Sequence, residues 1–173
     1  DLHLSIRPQR QMCIRDRAYI FCYPERCTGC RACELACSGV HEGIFGPSNA
    51  RIRAIREEPA IDIAITCRQC AKPPCAVACP TAAIQKRRDG LVEVISSRCI
   101  GCGACAEACP FGAIHVFRDI AIKCDLCGGD PECVKQCAPN ALKLMTSEQV
   151  AEEKRREHAA VVMRPTLRKL GVK

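Results

Sequence analysis

Short stretches of alternating apolar and polar residues recur along the chain. Because successive side chains of a strand point to opposite faces, this alternation predicts strands. The predicted strands are AYIFCY (18–23), RIRAIRE (51–57), AIDIAIT (60–66), LVEVIS (91–96) and AIHVFRD (113–119). Pro59 separates the second from the third, which predicts a hairpin there. The charged stretch from Ser147 to Leu170 instead predicts a helix that has Ser147 as its N-cap and ends at Pro165.

Sixteen of the 18 cysteines fall into four similar groups between these elements. Each group begins with C-x-x-C and ends with C-x-x-x-C, and only the middle spacing differs, which makes the groups an internal repeat. We expect each C-x-x-x-C to lie on a helical turn that a following proline stops. The groups are Cys27, Cys30, Cys33 and Cys37; Cys67, Cys70, Cys75 and Cys79; Cys99, Cys102, Cys105 and Cys109; and Cys124, Cys127, Cys133 and Cys137.

The other two cysteines are set apart from the chemistry. Residues 1–17 are interpreted as a non-native segment, because RQMCIRDR (10–17) resembles translated sequencing-adapter sequence, and Cys13 lies within it. Cys22 lies in the first predicted strand and is interpreted as a small buried hydrophobic residue.

A cysteine content this high is typical of disulfide scaffolds, zinc sites or iron–sulfur proteins. The third group, CIGCGACAEACP (99–110), matches the run C-x₂-C-x₂-C-x₃-C-P of bacterial two-cluster ferredoxins, whose last cysteine ligates the other cluster. Structural zinc sites use two separated pairs of ligands, which these close triplets do not offer. The pattern therefore favours iron–sulfur clusters, with a zinc-stabilised interaction module and a disulfide scaffold as the alternatives.

The formal net charge of +7 changes meaning if the cysteines hold clusters. Four clusters on sixteen thiolates would add about −8, which leaves the loaded protein near −1. Because the chain also lacks aromatic residues interleaved with its basic ones, we expect no nucleic-acid partner. The sequence has no apolar run of the ~20 residues that cross a bilayer and no secretory signal pattern, so we expect a cytoplasmic protein without a direct membrane span.

Four such groups in this order resemble the four-cluster [4Fe–4S] ferredoxin-like electron-transfer subunits of the dimethyl sulfoxide reductase iron–sulfur subunit type. The resemblance covers roughly residues 19–145. Within this family, CTGCRACELACSGVHEGIFGPSNARIR (27–53) and ITCRQCAKPPCAVACPTAAI (65–84) are most similar to the small iron–sulfur subunit of tungsten aldehyde oxidoreductases.

The resemblance implies an α+β fold of two interleaved bacterial-ferredoxin-like halves, each with two [4Fe–4S] clusters, with short β-hairpins and a C-terminal helix. The halves are 67–114 and 18–66 plus 115–146, and 147–173 is a helical tail for partner docking. Each cluster takes three cysteines from one group and the last from another. The implied ligand sets are Cys27, Cys30, Cys33 and Cys137; Cys124, Cys127, Cys133 and Cys37; Cys67, Cys70, Cys75 and Cys109; and Cys99, Cys102, Cys105 and Cys79.

The resemblance also implies a non-catalytic subunit that relays electrons from a catalytic oxidoreductase subunit. The catalytic subunit that it implies first is a tungsten or molybdenum pterin enzyme. A flavin subunit, a ferredoxin or further copies of the chain itself are the expected acceptors. A hydrogenase, formate dehydrogenase or carbon monoxide dehydrogenase is the alternative catalytic partner. Three basic residues beside cluster cysteines, Arg31, Arg68 and Lys72, are candidates to offset cluster charge or to contact a partner. His41 is interpreted as a hydrogen-bonding residue of a loop.

Overall fold

The computed structural model describes residues 18–58 and 61–169, in which eight strands pair as four antiparallel two-stranded sheets. The strands are β1 (Ala18–Cys22), β2 (Arg53–Glu57), β3 (Ile61–Ile65), β4 (Ile84–Lys86), β5 (Val92–Val94), β6 (Ile114–Phe117), β7 (Ile120–Lys123) and β8 (Leu142–Thr146). The α-helices are α1 (Ala32–Glu42), α2 (Pro74–Val77), α3 (Ala104–Glu107), α4 (Glu132–Lys135) and α5 (Ser147–Lys169). The chain is therefore an α+β protein with short hairpins and a C-terminal helix, as predicted. Residues 1–17, with Cys13, as well as Pro59 and Leu170, lie outside the described residues.

The pairing of β1 with β8 joins two distant parts of the chain. Ala18 lies opposite Thr146 and Cys22 opposite Leu142 in an antiparallel register. Strand β1 precedes the first cysteine group, and β8 follows the fourth. Because the strands are antiparallel, this pairing places the start of the first group beside the end of the fourth group.

The pairing of β4 with β5 does the same for the middle of the chain. Ile84 lies opposite Val94 and Lys86 opposite Val92. Strand β4 follows the second cysteine group and β5 precedes the third, so the hairpin places the end of the second group beside the start of the third. The first strand pair thus brings the first and fourth cysteine groups together, and the second brings the second and third together.

The hairpin of β2 and β3 is confirmed, with Arg53 opposite Ile65 and Glu57 opposite Ile61. The strand predicted over 113–119 was too long, because β6 ends at Phe117. Arg118 and Asp119 have φ angles of 47° and 59°, which are the left-handed conformations that a tight hairpin turn to β7 requires. The strand predicted over 91–96 is likewise shorter, since Ser96 begins a 3₁₀ turn (Ser96–Arg98).

Helical turns carry the C-x-x-x-C segments, as expected. The helices α2 and α3 end just before Cys79–Pro80 and Cys109–Pro110. Helix α1 has no such proline and is eleven residues long. It ends at Gly43, which has a left-handed conformation and whose N–H donates to the Gly39 carbonyl.

The long helix α5 is held at its start and exposed beyond it. The hydroxyl of the buried Tyr23 donates a hydrogen bond to the Glu153 carboxylate, and Lys143 Nζ lies 3.8 Å from Glu153 Oε1. Residues 154–164 are all exposed. The helix continues past Pro165, where the sequence predicted its end. Proline leaves the Val161 carbonyl without its helical donor, but on an exposed helix water can bind that carbonyl instead.

Two cores, each a mixture of aliphatic residues and cysteines, take the place of a large aromatic core. The first core consists of Ile20, Cys22, Cys37, Ala50, Ile52, Ala64, Cys124, Leu126, Cys133 and Leu142. The second consists of Cys75, Ile84, Val92, Cys105, Ile114 and Ala121. Cys22 is buried in the first core and its sulfur accepts the Ala64 N–H at 3.3 Å, which agrees with its interpretation as a small buried residue. In both cores, cysteine sulfurs lie where larger hydrophobic side chains would otherwise pack.

The glycines between the cysteines of the third group differ in how much space surrounds them. Gly101 and Gly103 both have positive φ angles, 66° and 80°. A Cβ at Gly101 would lie 2.7 Å from the Asp119 carbonyl oxygen in the β6–β7 turn, whereas nothing lies within 4 Å of a Cβ at Gly103.

We therefore expect Gly101→Ala to destabilise the protein more than Gly103→Ala. Both alanines would carry the left-handed penalty of about 1–2 kcal/mol, but only the first would also push against backbone. Thermal unfolding of the anaerobically purified variants measures the difference. Equal melting temperatures would contradict the close contact of this loop with the β6–β7 turn.

Candidate metal centre

Three separate cavities are each lined by four cysteine residues. In every case three of the cysteines come from one sequence group and the fourth is the last cysteine of another group. We call these sets quartet A (Cys27, Cys30, Cys33 and Cys137), quartet C (Cys67, Cys70, Cys75 and Cys109) and quartet D (Cys79, Cys99, Cys102 and Cys105). The strand pairs described above are the reason that cysteines so far apart in sequence line one cavity.

The remaining four cysteines also lie together, around the start of α4. Burial raises the pKa of the Cys133 thiol far above its ordinary value, and the neighbouring thiols of Cys124, Cys37 and Cys127 raise it further. Cys37, Cys124 and Cys133 are all buried. We call this set quartet B (Cys37, Cys124, Cys127 and Cys133). Three of the four sets therefore line a cavity each, and the fourth lies around α4; that each set holds one cluster stays a prediction.

The quartets suit a cationic centre and suit little else. Every cysteine that the structure describes is free of disulfide bonds. Burial raises the pKa of Cys75 to about 11 and those of Cys33 and Cys124 to about 12, so these thiols are protonated at neutral pH unless a metal binds them. A bound metal deprotonates a thiol outright and compensates the repulsion among neighbouring thiolates. Four soft sulfur ligands per cavity fit iron–sulfur clusters or zinc, and they do not fit the oxygen-preferring cations.

Backbone and hydroxyl donors point at several of these sulfurs. The N–H of Arg51 donates to Cys37 Sγ at 3.2 Å, that of Ala83 to Cys79 Sγ at 3.2 Å, and that of Ala121 to Cys99 Sγ at 3.3 Å. Burial raises the pKa of Cys79, but a hydrogen bond from Thr81 and several backbone donors outweigh it and leave this pKa below its ordinary value. Such donors favour the thiolate form, which is the form that binds metal.

The quartets differ in how far they lie from the surface. Cys30 of quartet A and Cys102 of quartet D are exposed, while no cysteine of quartets B and C is. Between these inner quartets, Cys67 and Cys124 lie close enough for the charge of one thiolate to raise the pKa of the other thiol. Quartets B and C are therefore the more buried, inner pair, and quartets A and D are the pair that reaches the surface.

His41 lies beside quartet B, and the sequence analysis was wrong to place it in a loop. It lies in helix α1, not in a loop, because the helix extends to Glu42. Its Nε2 lies 3.5 Å from Cys127 Sγ and 3.4 Å from Asp125 Oδ1, and Arg51 Nη1 lies 2.6 Å from Asp125 Oδ2. Burial, and then the charge of Arg51, lower the pKa of His41, which favours its neutral form.

The three ligand atoms of His41, Asp125 and Cys127 lie within 4.8 Å of one another. Because Cys127 also belongs to quartet B, we interpret His41 as a hydrogen-bonding neighbour of that quartet. No spacing pattern in the sequence could have joined His41 to Cys127, which is 86 residues away.

The three basic candidates have different surroundings. Arg68 lines the cavity of quartet C, and its guanidinium carbon lies 5.1 Å from the centre of the Tyr19 ring. Arg31 lines the cavity of quartet A and precedes α1 in a left-handed conformation, with its Nε 4.0 Å from the buried Glu34. Lys72 is exposed. Two of the three are thus placed to act on a quartet.

Comparisons with known proteins agree with this chemistry. Residues 24–40 and 92–115 match models of the 4Fe-4S binding domain. The polyferredoxin-like subunit of the aliphatic sulfonate oxidoreductase of Pyrococcus furiosus is 42% identical over 139 residues, which cover 77% of this chain and 80% of that subunit. The thiosulfate reductase electron transfer subunit of Salmonella typhi is 34% identical over 142 residues, which cover 72% of this chain and 74% of that subunit.

Among solved structures, a chain of the active site complex of benzoyl coenzyme A reductase is similar with a TM-score of 0.42 and 24% identity, covering 88% of this chain and 98% of that chain. In the part of the chain that the structure describes, no helix is both long and apolar enough to cross a membrane. On its matched domains and relatives, the chain belongs to the family of 4Fe–4S electron-transfer subunits of oxidoreductases.

Proposed function

We propose that the chain carries four [4Fe–4S] clusters, one in each of quartets A to D, and passes electrons between a catalytic oxidoreductase subunit and a second redox protein. The observation that carries this proposal is the composition of the quartets. Each combines three cysteines of one sequence group with the last cysteine of another, which is the ligand pattern of interleaved ferredoxin halves. A [4Fe–4S] cluster, when bound, supplies a centre that gains or loses one electron.

The residues of the chain would hold and tune the clusters. The quartets supply the thiolates, and the N–H groups directed at Cys37, Cys79 and Cys99 supply hydrogen bonds to sulfur, which favour the reduced state. The two exposed cysteines suggest where electrons enter and leave. Cys30 belongs to quartet A and Cys102 to quartet D, so a partner at either of these two surfaces could approach a cluster closely.

A tungsten or molybdenum pterin enzyme is the catalytic subunit that we propose. Its basis is the resemblance of residues 27–53 and 65–84 to the small subunit of tungsten aldehyde oxidoreductases. The related subunits described above likewise belong by name to an aliphatic sulfonate oxidoreductase and a thiosulfate reductase. A flavin subunit, a ferredoxin or another copy of the chain would accept the electrons.

Helix α5 is the proposed docking element for the catalytic subunit. Its start is fixed to β1 and β8 through Tyr23 and Lys143, while residues 154–164 are exposed. Three consecutive apolar side chains of this exposed part, Val161, Val162 and Met163, are 53–62% exposed. Apolar side chains grouped on an otherwise charged helix are typical of a surface that a partner covers.

The metal content tests the proposal as a whole. Protein purified without oxygen should contain about sixteen iron and about sixteen sulfide per chain, should be brown, and should bleach with dithionite. A colourless protein with about four zinc ions per chain would instead support the zinc-stabilised module, and would remove the electron-transfer proposal.

Paired serine substitutions test the interleaved ligand sets. If Cys67 and Cys109 hold the same cluster, Cys67→Ser with Cys109→Ser should lose one cluster and keep about twelve iron. Cys99→Ser with Cys109→Ser should lose two clusters and keep about eight. The two double variants are matched controls for each other, because each removes two thiols. Equal iron contents, or the reverse order, would contradict the interleaved sets.

Substitutions on α5 test the docking proposal. Val161→Ser, Val162→Ser and Met163→Ser together should leave the iron content unchanged but reduce the tungsten or molybdenum that co-purifies with the tagged chain by at least tenfold. The matched control is Ile55→Ser with Ile61→Ser, which removes exposed apolar side chains from β2 and β3. Full recovery of the pterin subunit with the α5 variant would show that docking occurs elsewhere.

A further inference from the structure

A lysine is buried between the two inner quartets. Lys123 is the last residue of β7 and is only 3% exposed. Its ammonium donates hydrogen bonds to the carbonyls of Val92 and Cys124, the latter at 2.8 Å. Lys123 also lines the cavity of quartet C and directly precedes Cys124 of quartet B. It therefore contacts both halves of the protein at the place where they meet.

The charge of this lysine has no carboxylate partner among the residues that the structure describes, none of whose carboxylates lies within 4.0 Å of its Nζ. A buried ammonium is costly unless an opposite charge compensates it. The groups that can provide that charge are thiolates. Lys123 lines the cavity of quartet C and adjoins Cys124 of quartet B, so the cysteines of these two quartets are the nearest source of such thiolates.

Gln69 fixes the same junction. It lies between Cys67 and Cys70 of quartet C and is 1% exposed. Its Nε2 donates to the Cys124 carbonyl at 3.0 Å, and its Oε1 accepts the Val92 N–H at 2.9 Å. Lys123 and Gln69 therefore both bond the backbone of Cys124 and of Val92. These bonds hold the loops of both inner quartets close to the Lys123 ammonium.

The other cations near the inner quartets are already compensated or exposed. Arg51 is paired with Asp125 at 2.6 Å, and Arg68 and Lys72 are exposed, so water screens their charges. Of Lys123, Arg51, Arg68 and Lys72, only Lys123 is buried and also has no carboxylate of the described residues within ion-pair distance.

Resting on the proposed function, we propose that Lys123 is the fixed positive charge that compensates the two inner clusters and raises their reduction potentials. Each cluster becomes more negative by one charge when it is reduced. In a poorly screened interior, a neighbouring ammonium stabilises the reduced form more than the oxidised form. Lys123 therefore keeps the two inner clusters reducible, so that electrons cross between the halves without a large barrier at their junction.

Lys123→Met tests this inference, because methionine has similar length and no charge. Its matched control is Lys86→Met, which removes an exposed lysine whose Nζ donates to the Ala71 carbonyl, in the loop of quartet C, at 2.9 Å. Iron content and a redox titration followed by electron paramagnetic resonance are measured on the full chain. Lys123→Met should lower two of the four midpoint potentials, so that the ratio of reduced to oxidised cluster at a fixed applied potential falls at least tenfold, or about 59 mV for one electron. Lys86→Met should leave all four unchanged.

The outcomes separate this inference from the function on which it rests. A wild-type chain without iron would remove both. A wild-type chain with about sixteen iron, together with a Lys123→Met chain of equal iron content and unchanged midpoints, would overturn the inference alone. If Lys123→Met does not fold, Lys123→Arg decides, because arginine keeps the charge but changes the hydrogen bonds. In the Lys123→Arg chain, the ratio of reduced to oxidised inner cluster at a fixed applied potential should stay within twofold of the wild-type ratio. A tenfold fall of that ratio would overturn the inference.

Discussion

The structure depends on how the charge of clustered, buried thiolates is compensated. Four sulfur atoms that share one cavity cannot all be ionised in a poorly screened interior unless a cation lies among them. Burial is the main cause of the raised pKa values of Cys33, Cys75 and Cys124, and neighbouring thiolates raise each of them further. Because each of the two cores is built partly from these same cysteines, binding of metal and formation of the core are coupled.

Strand pairing solves the assembly problem that this constraint sets. The chain places each cysteine group on a local loop and helical turn, but a local loop provides only three of the four cysteines of a quartet. The pairings of β1 with β8 and of β4 with β5 bring the last cysteine from elsewhere. The same arrangement puts quartets B and C side by side, where Lys123 and Gln69 are buried, and leaves quartets A and D with one exposed cysteine each. A chain folded in this way has two quartets that reach the surface and two that do not.

Much of this was readable from the sequence, for physical reasons. The cysteine spacings predicted the chemistry and the helical turns, and alternation predicted β1, β2, β3, β5 and β6 within a few residues. The partner strands β4, β7 and β8 were not predicted. IQK and IAIK offer only three and four residues of alternation, whereas LKLMT is as long as β1, β2 and β3 and was missed. Contacts of His41 with Cys127 and of Lys123 with Val92 depend on tertiary packing over many residues and leave no local pattern. The end of α5 was misplaced, because an exposed helix tolerates Pro165 better than the rule for buried helices suggests.

The central claim is that sixteen cysteines hold iron in four places, and anomalous X-ray diffraction at the iron absorption edge tests it most directly. Crystals grown without oxygen should give four iron peaks, one enclosed by each of quartets A to D. Peaks that appear only at the zinc edge, iron enclosed by four cysteines of a single sequence group, or sulfurs joined in pairs without metal would contradict the account.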